Sequence, residues 1–214
     1  MITTRLCLIR HGETTWNTEK RIQGHTDTPL NMRGELQARH MALALKNTPY
    51  KFDALYTSDL KRAADTANAI VHVFGIKPNV TPALRERHFG ALQGLVIEET
   101  PLAKPELWQA HIARQLDHEL DGGESIAQLA HRVQGVLNEM EERHRGKTIL
   151  VVSHGGTLDM MYRIASKQDL RTQRIASVPN ASLNWIVHNH DGWTIEQWGD
   201  TRHLESAALE NVDL

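Results

Sequence analysis

A single cysteine, Cys7, occurs among 214 residues, so no disulfide can form within the chain and a packed core must hold the fold. Aromatic residues are scarce, and no apolar run reaches the ~18 residues of a bilayer-spanning helix, which excludes a helical integral membrane protein. Neither sign of charge dominates. Lys and Arg number 24 against 26 Asp and Glu, so nothing global directs the chain to nucleic acid or to an anionic membrane surface. The opening Met1-Ile2-Thr3-Thr4-Arg5 carries no secretory apolar region, and the expected location is cytoplasmic. The remaining composition is that of an ordinary globular protein, and residues 1–214 are expected to form one domain.

Short apolar runs alternate with helical patterns. This alternation predicts an α/β fold, a three-layer sandwich with a mainly parallel central sheet and helices on both faces. Strands are expected at Leu6 to Arg10, Ala54 to Thr57 and Thr148 to Ser153. Asn31 is placed to cap a helix through Met41 and Leu45, and Ser58 or Asp59 to cap one carrying Ala63, Ala67 and Ile70. Ser125 and Gln128 have capping-box spacing, ahead of an apolar stripe of Ile126, Leu129, Val133, Val136, Leu137 and Met140. Thr157 to Ser166 is the next expected helix. Near the C-terminus, Leu183 to Val187 and Trp193 to Trp198 flank an Asp191-Gly192 turn, the pattern of an antiparallel hairpin at a sheet edge. Residues 95–123 are the least regular, broken by Pro101, Pro105 and Gly122-Gly123 into short helical pieces, and are expected to fold over the strand ends as a lid-like excursion.

Two of the expected strands end in the same way. Leu8-Ile9-Arg10-His11-Gly12 and Val151-Val152-Ser153-His154-Gly155-Gly156 each deliver a histidine to a glycine turn after an apolar run. Transfer of a phosphoryl group needs a nucleophile, positive donors for the equatorial oxygens and an acid for the leaving alkoxide. His11 and His154 at strand ends, Arg10, Arg62 one helical turn past a strand end, and Glu86 among cations supply candidates for all three.

In these segments the chain resembles the histidine phosphatase superfamily, also called the phosphoglycerate-mutase-like family. The resemblance runs through Arg10-His11-Gly12-Glu13-Thr14-Thr15-Trp16-Asn17, then Arg21-Ile22-Gln23-Gly24 with Asp27, Thr57-Ser58-Asp59-Leu60 to Arg62-Ala63, Glu86 with Gly90 and Gly94, and Ser153-His154-Gly155-Gly156. It implies that His11 is the nucleophile, that Arg10, Arg62 and an imidazolium at His154 hold the phosphoryl oxygens, that Asn17, Gln23 and Gly24 assist, and that Glu86 is the proton donor. No metal and no cofactor are implied. His188-Asn189-His190 offers too few ligands for a closed metal site.

The family includes hydrolases and isomerases. Mutases carry a basic insertion after the acid segment, whereas residues 95–123 here hold only Lys104 and Arg114 against Glu98, Glu99, Glu106, Asp117, Glu119 and Asp121. An acidic excursion would repel a bisphosphate, and Asn180-Ala181-Ser182 resembles the phosphatase branch, so a phosphatase of small phosphomonoesters is expected rather than a mutase. A non-catalytic phospho-ligand sensor is the third reading, and it would be expected to have lost His11 or Glu86. The expected partner is a small phosphorylated metabolite, with Arg87 and His88 placed to hold a carboxylate, and a homodimer is compatible with the sequence. Trp108, His111 and His118 are candidates for the pocket mouth.

Overall fold

The apolar runs at 6–9 and 149–152 become neighbouring parallel strands at the centre of one six-stranded sheet. The computed structural model describes residues 2–209. The strands are β1 (Thr4–Arg10), β2 (Ala54–Thr57), β3 (Pro78–Val80), β4 (Thr148–Ser153), β5 (Leu183–Asn189) and β6 (Gly192–Asp200), in the spatial order β3-β2-β4-β1-β5-β6. The pairs β1/β4, β2/β4 and β2/β3 are parallel, while β5 joins β1 and β6 joins β5 in antiparallel sense. The expected hairpin is therefore present at the sheet edge. Its strands run further than predicted at their inner ends, so that Asn189 pairs with Gly192 and His190-Asp191 make the turn.

Side chains of a strand alternate between faces, and both faces of β1 are buried. Leu6 and Leu8 pack on one side with α6 (Ile126–Arg143) and α7 (Gly155–Ser166). Cys7 and Ile9 pack on the other with α2 (Met32–Leu45) and α3 (Lys61–Phe74). The three-layer arrangement follows from these two apolar layers. The stripe on α6 is buried along its length, each large side chain contributing about 1.5–3 kcal/mol.

Asn31 caps α2 by accepting from Gly34 N–H, and Ser125 with Gln128 forms the capping box of α6. The expected cap of α3 is different. Its N-cap is Leu60, Ser58 is turned into the interior, Asp59 pairs with Arg85, and Asp27 accepts from Lys61 N–H at 2.6 Å from a distant loop. The short helical pieces expected within the excursion are α4 (Thr100–Ala103) and α5 (Pro105–Ile112), while α1 (Thr15–Thr18) was not legible in the pattern. Pro101 and Pro105 open α4 and α5 rather than break them, because a first-turn proline gives up an N–H that has no helical acceptor. The short edge strand β3 and the closing helix α8 (Arg202–Leu209) were likewise unpredicted. A small cluster of Ile22, Leu92 and Leu120, with Phe89 and Trp108 packed on it, anchors the excursion over the carboxyl ends of the strands. No helix among the described residues is long and apolar enough to cross a membrane.

Candidate active site

Because β1 and β4 are adjacent, parallel and in register with Arg10 opposite Ser153, the residues that follow each strand must lie side by side. His11 N–H donates to Ser153 O at 3.0 Å, and the two imidazoles stand 5.2 Å apart, centroid to centroid. Gly12 is demanded by close approach. A Cβ there would collide with the Gly34 backbone at the start of α2, and a Cβ at Gly34 would collide with Glu13.

The His11 ring is almost wholly buried, and its Nδ1–H donates to Gly12 O at 2.7 Å. That bond sets the tautomer and leaves the Nε2 lone pair available. Burial, with Arg62 and Arg10 alongside, holds His11 well below the usual imidazole range, so it is neutral near pH 7, as a nucleophile must be. His11 O is itself held by Asn180 Nδ2–H at 2.9 Å and by Ala181 N–H at 3.3 Å.

His154 is fully buried and bonds through Nε2 to Ser58 Oγ at 2.8 Å. Ser58 Oγ also accepts from Leu60 N–H at 3.3 Å and keeps a second lone pair, so it can either accept from or donate to His154 Nε2. Burial, Arg62 and His11 push His154 well below the usual imidazole range. The imidazolium expected from the resemblance is thus a neutral ring here.

Arg10 donates through Nη1 to Val178 O, and Arg62 through Nη1 and Nη2 to Thr26 O and Gly24 O, at 2.7–2.9 Å. These bonds tie the loop carrying Gln23 and Gly24 to α3. Burial pulls both guanidiniums down to about 10, against a rise from Glu86, and both stay charged at neutral pH. Among the described residues, six buried side-chain polar atoms have no partner, and half of them are here: Arg10 Nε, Arg62 Nε and His154 Nδ1. The two guanidinium Nε atoms carry protons. Buried donors without acceptors are costly, which marks the place as built for an acceptor-rich group.

Glu86 lies on the same cavity. Its Oε1 accepts from Arg87 N–H and its Oε2 from Gly156 N–H in the first turn of α7, both at 2.8 Å. Its segment is clamped from behind by Arg132 of α6, which donates to Ala83 O, Arg85 O and Glu86 O and pairs through two nitrogens with Glu124. Asn17 spends Oδ1 on the Thr14 capping box and keeps its amide N–H group, and Gln23 Oε1 accepts from Thr28. Both line the cavity, whose volume is about 410 Å3, within the range of small-molecule sites. A larger groove of about 710 Å3 between α2 and α3 contains none of these groups.

Two expectations need correction. Arg87 and His88 do not line the cavity: Arg87 is buried with Nε on Glu124 O, and His88 Nδ1 accepts from Gly90 N–H while its ring packs edge-on against His25. Chain continuity with Glu86 suggested contact, but successive residues leave the backbone in different directions. The acidic excursion does not make an acidic cavity either. Glu98, Glu99, Glu106, Asp117, Glu119 and Asp121 are all exposed and outside it, and the cavity is lined by Arg10, Arg21, Arg62, Arg114 and Arg174 with Glu86 as its one carboxylate among the described residues. Trp108 and His111 line it as well; His118 does not. Arg174 and Gln173 went unnoticed because they belong to an aperiodic loop whose position only the fold determines.

Comparison with known proteins agrees with this geometry. The family model "Histidine phosphatase superfamily (branch 1)" matches residues 6–201. A "Metal-independent phosphoserine phosphatase" of Arabidopsis thaliana is 41% identical over 214 residues, covering 96% of this chain and 85% of that protein. "Phosphoglycerate mutase-like protein 4" of the same plant is 39% identical over 207 residues, covering 95% and 88%. Among solved structures, a phosphoserine phosphatase mutant from Entamoeba histolytica in complex with phosphoserine superimposes with a TM-score of 0.84 at 28% identity, covering 94% of this chain and 99% of that one.

Proposed function

Since the chain belongs to the histidine phosphatase superfamily, branch 1, we propose that it is a metal-independent phosphomonoesterase working through a phosphohistidine at His11. The observation that carries this reading is the pair of buried, unpartnered Nε–H groups at Arg10 and Arg62, with His154 Nδ1 also unpartnered, beside a neutral His11 whose Nδ1 is already committed. A phosphoryl group in flight has three equatorial oxygens, and preorganised donors for them stabilise the transition state without reorganisation.

In this mechanism His11 Nε2 attacks phosphorus and the bond to the alcohol oxygen breaks, with Glu86 giving that oxygen its proton. The Nδ1–H bond to Gly12 O supports the positive charge that grows on the ring. Water then attacks the phosphohistidine, Glu86 takes its proton, and phosphate leaves with His11 restored. Asn17, Gln23 and Gly24 complete the phosphoryl cradle. The similarity to a protein named a metal-independent phosphoserine phosphatase supports hydrolysis. The mutase reading draws support from the cationic cavity, which suits a bisphosphate, and from the second relative's name. We also propose a cytoplasmic location, which cell fractionation tests.

The test is phosphate release from small phosphomonoesters with a chelator present, alongside acid-quench trapping of protein-bound phosphate. Release that resists the chelator, disappears in His11→Ala and is accompanied by phosphate on His11 is the expected result. Interconversion of phosphoglycerates without net release would replace the proposal with a mutase, and full turnover by His11→Ala would end it.

A further inference from the structure

The cavity holds more positive charge than a phosphoryl group uses. Arg10 and Arg62 serve that group, and Arg21 is paired with Glu19 at 2.9 Å. The surplus lies where the excursion meets the loop after α7. There Arg114 Nε donates to Leu170 O at 2.6 Å, and Gln173 Nε2–H donates to Ile112 O at 2.8 Å, so the two segments form one wall. Arg174, on the same wall, reaches Asp159 Oδ1 at 3.2 Å and donates to Gly155 O. The other Asp159 oxygen is occupied by the fully buried Arg163. One carboxylate therefore serves two guanidiniums by contact and Arg114 through its field, leaving about two positive charges uncompensated on a partly dry wall.

His111 stands in that wall between the rings of Phe89 and Trp108. Its Nδ1 lies 3.4 Å from Arg87 Nη1. A guanidinium has donors only, so Nδ1 is the lone-pair nitrogen and the ring proton resides on Nε2. Burial and the surrounding arginines hold His111 down at about 4, so the ring remains neutral at neutral pH.

We propose that Arg114, Arg174 and the Nε2–H of His111 form a second anion subsite that selects phosphomonoesters with a carboxylate and no ammonium on the alcohol portion, and that Arg87 is a positioning residue setting the His111 tautomer. This rests on the phosphomonoesterase reading and adds its substrate class. The subsite discriminates against phosphoserine: its ammonium would stand among guanidiniums, with Glu86 already engaged at the leaving oxygen. A planar carboxylate, by contrast, accepts paired bonds from guanidinium.

Three esters of similar size separate the cases: 3-phosphoglycerate (carboxylate), glycerol 3-phosphate (neutral) and phosphoserine (carboxylate with ammonium). The wild-type enzyme should favour 3-phosphoglycerate over both others in kcat/KM, by about tenfold or more over the neutral ester. Arg114→Gln and Arg174→Gln should each lower that ratio by about tenfold. Arg174→Glu should move the preference toward phosphoserine, a gain that misfolding cannot produce. Calorimetric binding of the same esters to His11→Ala reads the subsite apart from turnover, so loss of hydrolysis with retained binding order would overturn the hydrolase and keep the subsite. Equal wild-type kcat/KM for 3-phosphoglycerate and glycerol 3-phosphate, or an unaltered ratio in both glutamine variants, would overturn the subsite. For Arg87, imidazole nitrogen NMR should show His111 protonated at Nε2 in the wild type and a tautomer mixture in Arg87→Leu; a wild-type ring protonated at Nδ1 would refute the positioning role.

Discussion

Gly156→Ala tests whether Glu86 is the proton donor, without touching Glu86 itself. A Cβ at position 156 would overlap Glu86 Oε1 and stand 3.1 Å from its Cδ, so the carboxylate must withdraw by about 1 Å to reach ordinary contact. Withdrawal also weakens the 2.8 Å bond from Gly156 N–H to Oε2. What is displaced is the far end of a flexible side chain, not backbone, and alanine is a better helix former than glycine, so the fold should absorb the change with Tm within about 3 °C. A misplacement of this size at a reacting group can cost on the order of a hundredfold. The assay is kcat/KM for an alkyl phosphate and for para-nitrophenyl phosphate, since this ratio reports the steps up to loss of the alcohol. Para-nitrophenolate departs without a proton, so its ester should change by less than about threefold while the alkyl ester falls about 30- to 100-fold. Equal losses on both esters would mean that the cavity was disturbed generally. Alkyl turnover within twofold of wild type would refute the role assigned to Glu86.

Other perturbations follow from the same geometry. Arg132→Leu removes the clamp from three carbonyls of the Glu86 segment and strands the half-buried Glu124 carboxylate, so urea unfolding should show a loss of about 2–3 kcal/mol, and an unchanged midpoint would contradict the clamp. Stability should also depend on pH through histidines. His11, His154 and His111 have folded values below the ordinary value near 6.5, so the unfolded chain binds more protons beneath it. Their stabilisation is present above about pH 6.5 and declines as pH falls toward the folded values, about 4 for His111. Urea midpoints at pH 7 and pH 5 should differ, with His111→Phe reducing the difference; identical midpoints would show that these rings are not held neutral by burial.

Much of this protein follows from local pattern. The strand cores at 6–9 and 149–152, the Asn31 cap and the Ser125–Gln128 box rest on the chemistry of neighbours within a few residues, and the structure reproduces them. The residues that line up at the strand ends were legible for a related reason. His11, His154 and Glu86 each adjoin a strand end or a turn, and their motifs keep a fixed order along the chain. Reading stopped where position depends on distant partners. Arg174 joins the cavity through Asp159 and Gly155, the charge of residues 95–123 mattered less than which of them face inward, and Arg87, though next to Glu86, is turned to Glu124 and His111. Sequence alone thus determined the layers of the fold and which side chains stand at the ends of its central strands. Tertiary structure decided which cations line the cavity, because burial and long-range pairing, not order along the chain, set where each guanidinium ends.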